Sequence, residues 1–238
     1  MTAGSFNGGE QAPRYRKRRP VPALIMLLLL GLTAGIVWLN VANKEPEVQG
    51  VRCDPGLPAT AAPGESAPPA PPQPGEHIDQ TGLDQTSAAP PEQVTVKVLN
   101  ASTQRGEAAQ VTENLKQLNF TQIGTPSEDP QYPSKDMTCR GQIRFGQQGA
   151  AAARTLSLLE PCLELVKDNR QDASVEMVIG RKFDELAIRP ETRQILRLLS
   201  EWGAQHPPQS GGLQSVEANA GPQIDQALID AIRRAPCG

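Results

Sequence analysis

The stretch VTVKVLNASTQRGEAAQVTENLKQLNF, Val94 to Phe120, changes its period midway. Val94, Val96 and Val98 alternate with Thr95, Lys97 and Leu99, which predicts a strand whose second face is partly covered. After Asn100 the chain passes through small polar residues and the pair Arg105-Gly106. Ala108, Val111, Leu115 and Leu118 then recur at helical spacing over 106–119, with Glu107 where the positive end of a helix favours an acid. A strand, a short turn and a helix make a βα unit. Whether its turn is catalytic or only a joint decides whether the chain reads as an enzyme.

Working towards the C-terminus, the pattern repeats. FTQIG (120–124) predicts a short strand, and TPSEDPQYPSKD (125–136), full of turn formers, a surface loop. Ile143 and Phe145 mark a third strand within 137–146. The run QQGAAAARTLSLLEPCLEL (147–165) predicts a helix interrupted or ended near Pro161, since proline cannot donate the helical hydrogen bond. Val175, Met177 and Ile179 share one face of a fourth strand over 173–180. PETRQILRLLSEWG (190–203) has Pro where helices begin and Gly where they stop. These alternations predict a small two-layer α/β domain over residues 93–205. Beyond it, 206–238 is expected to be a flexible segment with a short helix. Ile224, Leu228 and Ile232 give that helix an apolar stripe that docks on the domain or frays.

Towards the N-terminus the character changes. The chain has 23 Pro and 21 Gly but only 3% aromatic residues, and a Pro/Ala-rich tract fills 54–91. With little apolar surface to offset ordering entropy, residues 44–92 are expected to form a semi-extended linker. Before them, 21–43 holds no charged residue and is dominated by Leu, Ile, Val and Ala, long enough at about 1.5 Å per residue to cross about 30 Å of hydrocarbon. No A-x-A site follows, and Cys53 is preceded by QGVR rather than a lipobox, so an uncleaved transmembrane helix is expected. Arg14, Arg16, Lys17, Arg18 and Arg19 abut it, which assigns 1–20 to the cytoplasm and everything after the span to the outside.

Charge and cysteine placement agree with that topology. The first 43 residues carry five basic and one acidic side chain, so the remainder holds −7 of a total of −3. A net acidic outer portion argues against nucleic acid as a partner. Cys53, Cys139, Cys162 and Cys237 all follow the span, on the oxidising side. Four cysteines allow three pairings. Because Cys139 and Cys162 both fall inside the expected domain while Cys53 and Cys237 lie in its flanks, Cys139–Cys162 and Cys53–Cys237 are the expected bridges.

Chemistry-bearing patterns are few. His77 and His206 both fall in Pro-rich segments, which removes the imidazole a Ser-His-Asp site needs, and no CxxC spacing suggests a metal. Gly146 and Gly149 lie between a strand and a helix, but without a phosphate-loop fingerprint they read as close packing, and no cofactor is expected. Asn100 and Ser102 are ordinary joint residues that, with Arg105, are also the candidates for a ligand or partner contact. Asp184 with Glu185 is the candidate acidic pair should the domain carry a weak activity.

The turn at Asn100 with Arg105-Gly106, the later YP, the strand GQIRFG, the helix AAAARTLSLL and the closing VEMVIGRKFDEL together resemble the LytR C-terminal domain over roughly 93–186. That domain ends many envelope proteins of the LytR-CpsA-Psr family. The usual Asn-Gly turn is Asn-Ala here, and no stretch accommodates the large catalytic domain of those enzymes, so their activity does not carry over. With the anchor and the linker, the resemblance implies a non-catalytic interaction or scaffold module in cell-envelope integrity. Its implied partners are the membrane and an envelope protein or cell-wall component, with an accessory role in wall-polymer metabolism as the alternative.

Overall fold

The computed structural model describes residues 21–42, 52–53, 75–207, 221–234 and 237. The expected cytoplasmic segment 1–20 and most of the expected linker lie outside the described residues. The chain divides into two units, 1–45 and 46–238. In the first, α1 (Val21–Ala42) is a 22-residue helix without a charged residue. Ile25, Met26, Leu27, Leu28, Leu29, Leu30 and Leu32 are each more than half exposed. Among the described residues no helix is long and apolar enough to cross a membrane, so the expected span over 21–43 is not shown.

The second unit is built on one mixed sheet. Its strands are β1 (Glu76–Ile78), β2 (Thr95–Asn100), β3 (Gln122–Ile123), β4 (Ser127–Glu128), β5 (Gly141–Phe145), β6 (Glu164–Lys167) and β7 (Val175–Ile179). They lie in the order β1-β6-β5-β7-β2-β3, with β4 also pairing to β2. β2 runs parallel to β7, β3 and β4, and β5 parallel to β6, while β5–β7 and β1–β6 are antiparallel. The helices are α2 (Glu107–Gln117), α3 (Ala150–Leu159), α4 (Pro190–Gln205) and α5 (Gln226–Arg233).

The period-two pattern sorts the two sheet faces. Val96, Val98, Ile143, Phe145, Leu165, Val175, Met177 and Ile179 point into one core with Val111 and Leu115 of α2, Leu156 and Leu159 of α3, Ile195 and Leu199 of α4, and Ile229 and Ile232 of α5. The alternate residues face the other way. Leu99 and Val178 there join Ala101, Tyr132, Met137 and Cys139 in a second, smaller core. The layers are therefore helices on one face and a folded loop on the other.

That loop differs from its sequence reading. The stretch 125–136 was expected on the surface, yet it contributes β4 and buries Asp129 and Tyr132 against the sheet. Its turn formers shape a covering strap because Tyr132 within it and Met137 just after it supply apolar surface to the second core. The segment after Pro161 also differs: helix α3 ends at Leu159, and β6 follows directly, with Leu163 and Leu165 entering the main core. Gly203 does not stop α4, which continues to Gln205. A Cβ there would lie 2.8 Å from Pro90, so this glycine serves close packing.

The expected linker 44–92 is too long at its C-terminal end. Residues 75–92 are part of the domain, through β1 on β6 and through buried Leu83 and Ala88. His77, read as a linker residue, lies in β1. Asp84 ties this segment to two helices, 2.9 Å from Arg154 of α3 and also paired with Arg233 of α5. α5 is thereby docked rather than frayed. Replacing Asp84 with Ala leaves the buried Arg154 without its anion beside Arg233. We expect a loss of about 1–3 kcal/mol in denaturant unfolding of the outer domain, with loosened α5 amides in hydrogen exchange; unchanged stability would contradict this role.

Both flanks being docked also corrects the disulfides. The bridges are Cys53–Cys139 and Cys162–Cys237, not Cys139–Cys162 and Cys53–Cys237. The expectation rested on flexible flanks. Instead Cys53 packs against the second core beside Cys139, and α5 delivers the C-terminal segment to Cys162 at the end of α3.

Candidate functional site

The β2–α2 joint is built from its own side chains. Asn100 Nδ2 donates to the Gln104 carbonyl (3.0 Å), and its Oδ1 accepts the Ser102 N–H (3.0 Å). The fully buried Ser102 hydroxyl accepts from the Gln104 N–H and has two acceptors for its own hydrogen, Glu107 Oε2 at 2.8 Å and Asn100 Oδ1 at 2.9 Å. Gly106, with φ of 82°, occupies the left-handed region just before α2. Asn100 and Ser102 thus shape the loop, while Arg105 is exposed and without an ion-pair partner among the described residues.

Arg105 lines an open cleft of ≈ 100 Å³ with Gln104, Glu107, Asn114, Asp184 and Glu185. The parallel register of β2 and β7 explains the meeting, since it puts the loops after both strands at one sheet end. Small-molecule sites usually measure about 300–1,000 Å³; this cleft holds one side chain or a few waters. Burial pushes the Glu107 carboxyl above its ordinary range, against the Ser102 hydrogen bond and with the Asp184 charge adding to the rise. Asp184 is held below its range by the Glu185 N–H and by Arg140 Nη1, at 2.5 Å.

Because the folded pKa of Glu107 is raised, the native state retains a proton that the unfolded chain has released. Stability therefore falls as pH rises from the ordinary carboxylate range through that raised value. Glu107→Gln keeps an acceptor for Ser102 and removes the charge. It should flatten this part of the pH–stability curve and leave the domain at least as stable at neutral pH; a curve with the same slope would assign the effect elsewhere.

Arg140, which sequence reasoning did not single out, is the clamp behind the cleft. It bonds Glu160 (3.2 and 3.4 Å), Asp184 and the Glu185 carbonyl (2.9 Å), with its guanidinium 5.0 Å above the Phe183 ring. Burial opposes its charge, but Glu160 and Asp184 outweigh burial and raise its pKa. The candidate acid Asp184 is therefore one arm of a structural clamp.

A second polar constellation crosses the loop-covered face. Asp129 receives both Arg144 amino groups (2.9 and 2.7 Å), and Arg144 Nε donates to Gln142 (2.9 Å). Gln142 donates to Glu164 (2.8 Å), which also accepts the Cys53 N–H (3.1 Å) and lies 2.9 Å from His77 Nδ1. Arg144 is 1% exposed, and its guanidinium sits 5.8 Å from the Tyr132 ring; burial pushes the Tyr132 phenol up to about 12. The sequence signal was Arg144 between Ile143 and Phe145, a charge alternating with core residues in a strand. The chain joins the covering loop, three strands and the segment around Cys53 in one network.

Gly146 and Gly149 are packing positions: a Cβ on Gly146 would fall 2.0 Å from the Arg170 carbonyl, and one on Gly149 3.1 Å from that of Ser174. His206 stacks on Trp202, with ring centroids 4.4 Å apart. Among the described residues no group of three His, Cys, Asp or Glu side chains is arranged for a metal.

The residues from the start of β2 to the turn at Phe183 form a mixed sheet with helices on one face, closed at one end by the β2–α2 joint. The chain belongs to the LytR C-terminal domain family, described as LytR cell envelope-related transcriptional attenuator, which matches residues 93–183. Over 207 residues it is 33% identical to the cell envelope integrity protein Cei of Mycobacterium tuberculosis (strain ATCC 25618 / H37Rv), covering 87% of this chain and 92% of that protein. The crystal structure of the soluble domain of a conserved hypothetical secreted protein from Mycobacterium marinum is also similar, with 35% identity and a TM-score of 0.56. That match covers 68% of this chain and 98% of the other.

Proposed function

We propose that this is a single-pass membrane protein whose outer domain supports cell-envelope integrity as a non-catalytic interaction module for an envelope protein or cell-wall component. Residues 1–20 stay in the cytoplasm, 21–43 cross the membrane, and the domain works outside. The near full-length similarity to Cei supports the envelope role. The uncharged α1, exposed along its described length, and the basic run before it support the anchor. Two disulfides favour an oxidising compartment.

The observation that carries the non-catalytic reading is the internal use of charge. Asp129 pairs with Arg144, and Glu160 and Asp184 with Arg140, whereas Arg105, at the rim of a small cleft, has no ion-pair partner among the described residues. Confinement to the membrane raises the domain's effective concentration towards a membrane-proximal partner. A photo-crosslinking residue in place of Arg105, activated in intact cells, is expected to capture one envelope component stoichiometrically. The same probe at exposed Gln194 on α4 should not. Turnover of a lipid-linked wall precursor by the purified outer domain, lost in Asp184→Ala, would overturn this reading in favour of an accessory enzyme.

A further inference from the structure

We infer that the Cys53–Cys139 bridge, rather than the Pro-rich tract, sets how far the domain can stand from the membrane, and that reducing this bridge lengthens the tether about threefold. The inference rests on the anchor reading of α1. It follows from where the chain is fastened. Helix α1 ends at Ala42, and the next covalent attachment to the domain is Cys53, bonded to Cys139 in the second core. The tether is therefore residues 43–52. The Pro-rich stretch 54–74 then leaves the domain at Cys53 and returns to it at Gly75, where a Cβ would meet the Lys167 carbonyl at 2.3 Å, immediately before β1. Both ends of that stretch are fixed to the same domain, so in the oxidised protein it adds nothing to reach.

The lengths make this a large change. At about 3.3–3.6 Å per extended residue, 43–52 spans at most about 35 Å and 43–74 at most about 110 Å. Cys53 is also held by its N–H on Glu164, but one hydrogen bond to a carboxylate retains the segment far less firmly than a covalent link.

The two sulfurs differ in access. Cys139 is 1% exposed, whereas Cys53 is partly exposed. A dithiol reductant therefore attacks Cys53 Sγ: the S–S bond breaks, Cys139 leaves as a thiolate and takes up a proton, and a mixed disulfide forms at Cys53. The second thiol of the reductant then displaces Cys53, so the reductant ends as a disulfide and the protein as two thiols. The domain keeps its main core and β1, which do not include Cys53.

Full-length protein in liposomes tests this, with a specific protease site placed within 54–74. Cleavage alone is expected to leave the domain in the membrane fraction, held through Cys53. Cleavage with dithiothreitol should release it, and Cys53→Ser should release it without reductant. Release of the wild-type domain by cleavage alone would overturn the staple; uncut protein that never enters the carbonate-resistant membrane fraction would instead overturn the anchor. In uncut protein, energy transfer from a donor at Gln194 to acceptor lipids should fall on reduction to the level of Cys53→Ser, which itself should not respond. Equal transfer before and after reduction would sink the change of reach.

Discussion

Arg144→Met should destabilise the outer domain by about 3–5 kcal/mol, enough to unfold much of it at physiological temperature. Arg144 and Asp129 are essentially inaccessible to water and share two hydrogen bonds, so removing the guanidinium leaves a carboxylate buried without a counter-charge. The same substitution frees the Gln142 oxygen and removes the cation beside Tyr132, which loosens the strap formed by 129–137. The penalty lies in the stranded charge rather than in a large net value of the pair. Arg144→Met combined with Asp129→Leu should therefore recover a large part of the loss. Denaturant unfolding of the three variants reads this directly. A single variant within about 1 kcal/mol of wild type would show that water reaches Asp129 and that the network is not sealed.

Removing the second bridge with Cys162→Ala and Cys237→Ala should cost about 2–4 kcal/mol. The bridge closes a segment with a sequence separation of 75, so its loss gives the unfolded chain considerable freedom. Its effect should also be local. α5 is held by Ile229 and Ile232 in the main core, by Arg233 on Asp84 and by this bridge, and with the bridge gone only side-chain contacts remain. Hydrogen exchange should show α5 amides opening well before those of β2, β5 and β7. Unchanged protection in α5 would mean that the apolar stripe and the Arg233–Asp84 pair dock it without the bridge.

Much of the sheet was legible in the sequence because its central strands keep a strict alternation. Val94 to Val98, Ile143 with Phe145, and Val175 to Ile179 each pointed to the strand that is found, and Pro190 marked the start of α4. The harder elements were those that long-range contacts decide. β1 has three residues and no apolar repeat, and it exists because Glu76–Ile78 finds the edge of β6. β6 was hidden behind a helical Ala/Leu run, and only the break at Pro161 hinted that the period changes. The 125–136 stretch carries turn formers at a density typical of surface loops. What turns it into a strap is Asp129 meeting Arg144, 15 residues away in sequence and on another strand.

The site was legible to a similar extent. Arg105 and the Asp184-Glu185 pair do face one cleft, and Asn100 with Ser102 forms the joint their residue types suggest. Arg140 and Glu164 were not visible as hubs, since a charged residue near a strand end has no signature until its partners are placed. The cysteine pairing misled for the same reason: proximity in sequence to the domain favoured Cys139 with Cys162, and the docked flanks decided otherwise.

Cells lacking this protein, complemented either with the full chain or with an outer domain exported through a cleavable signal, test the central claim most directly. The readout is survival under detergent and cell-wall stress at matched levels of folded, disulfide-bonded protein. An anchored interaction module predicts that the full chain restores survival, that Asp184→Ala in the full chain restores it equally, and that the freely secreted domain does not. Full rescue by the secreted domain would contradict the account.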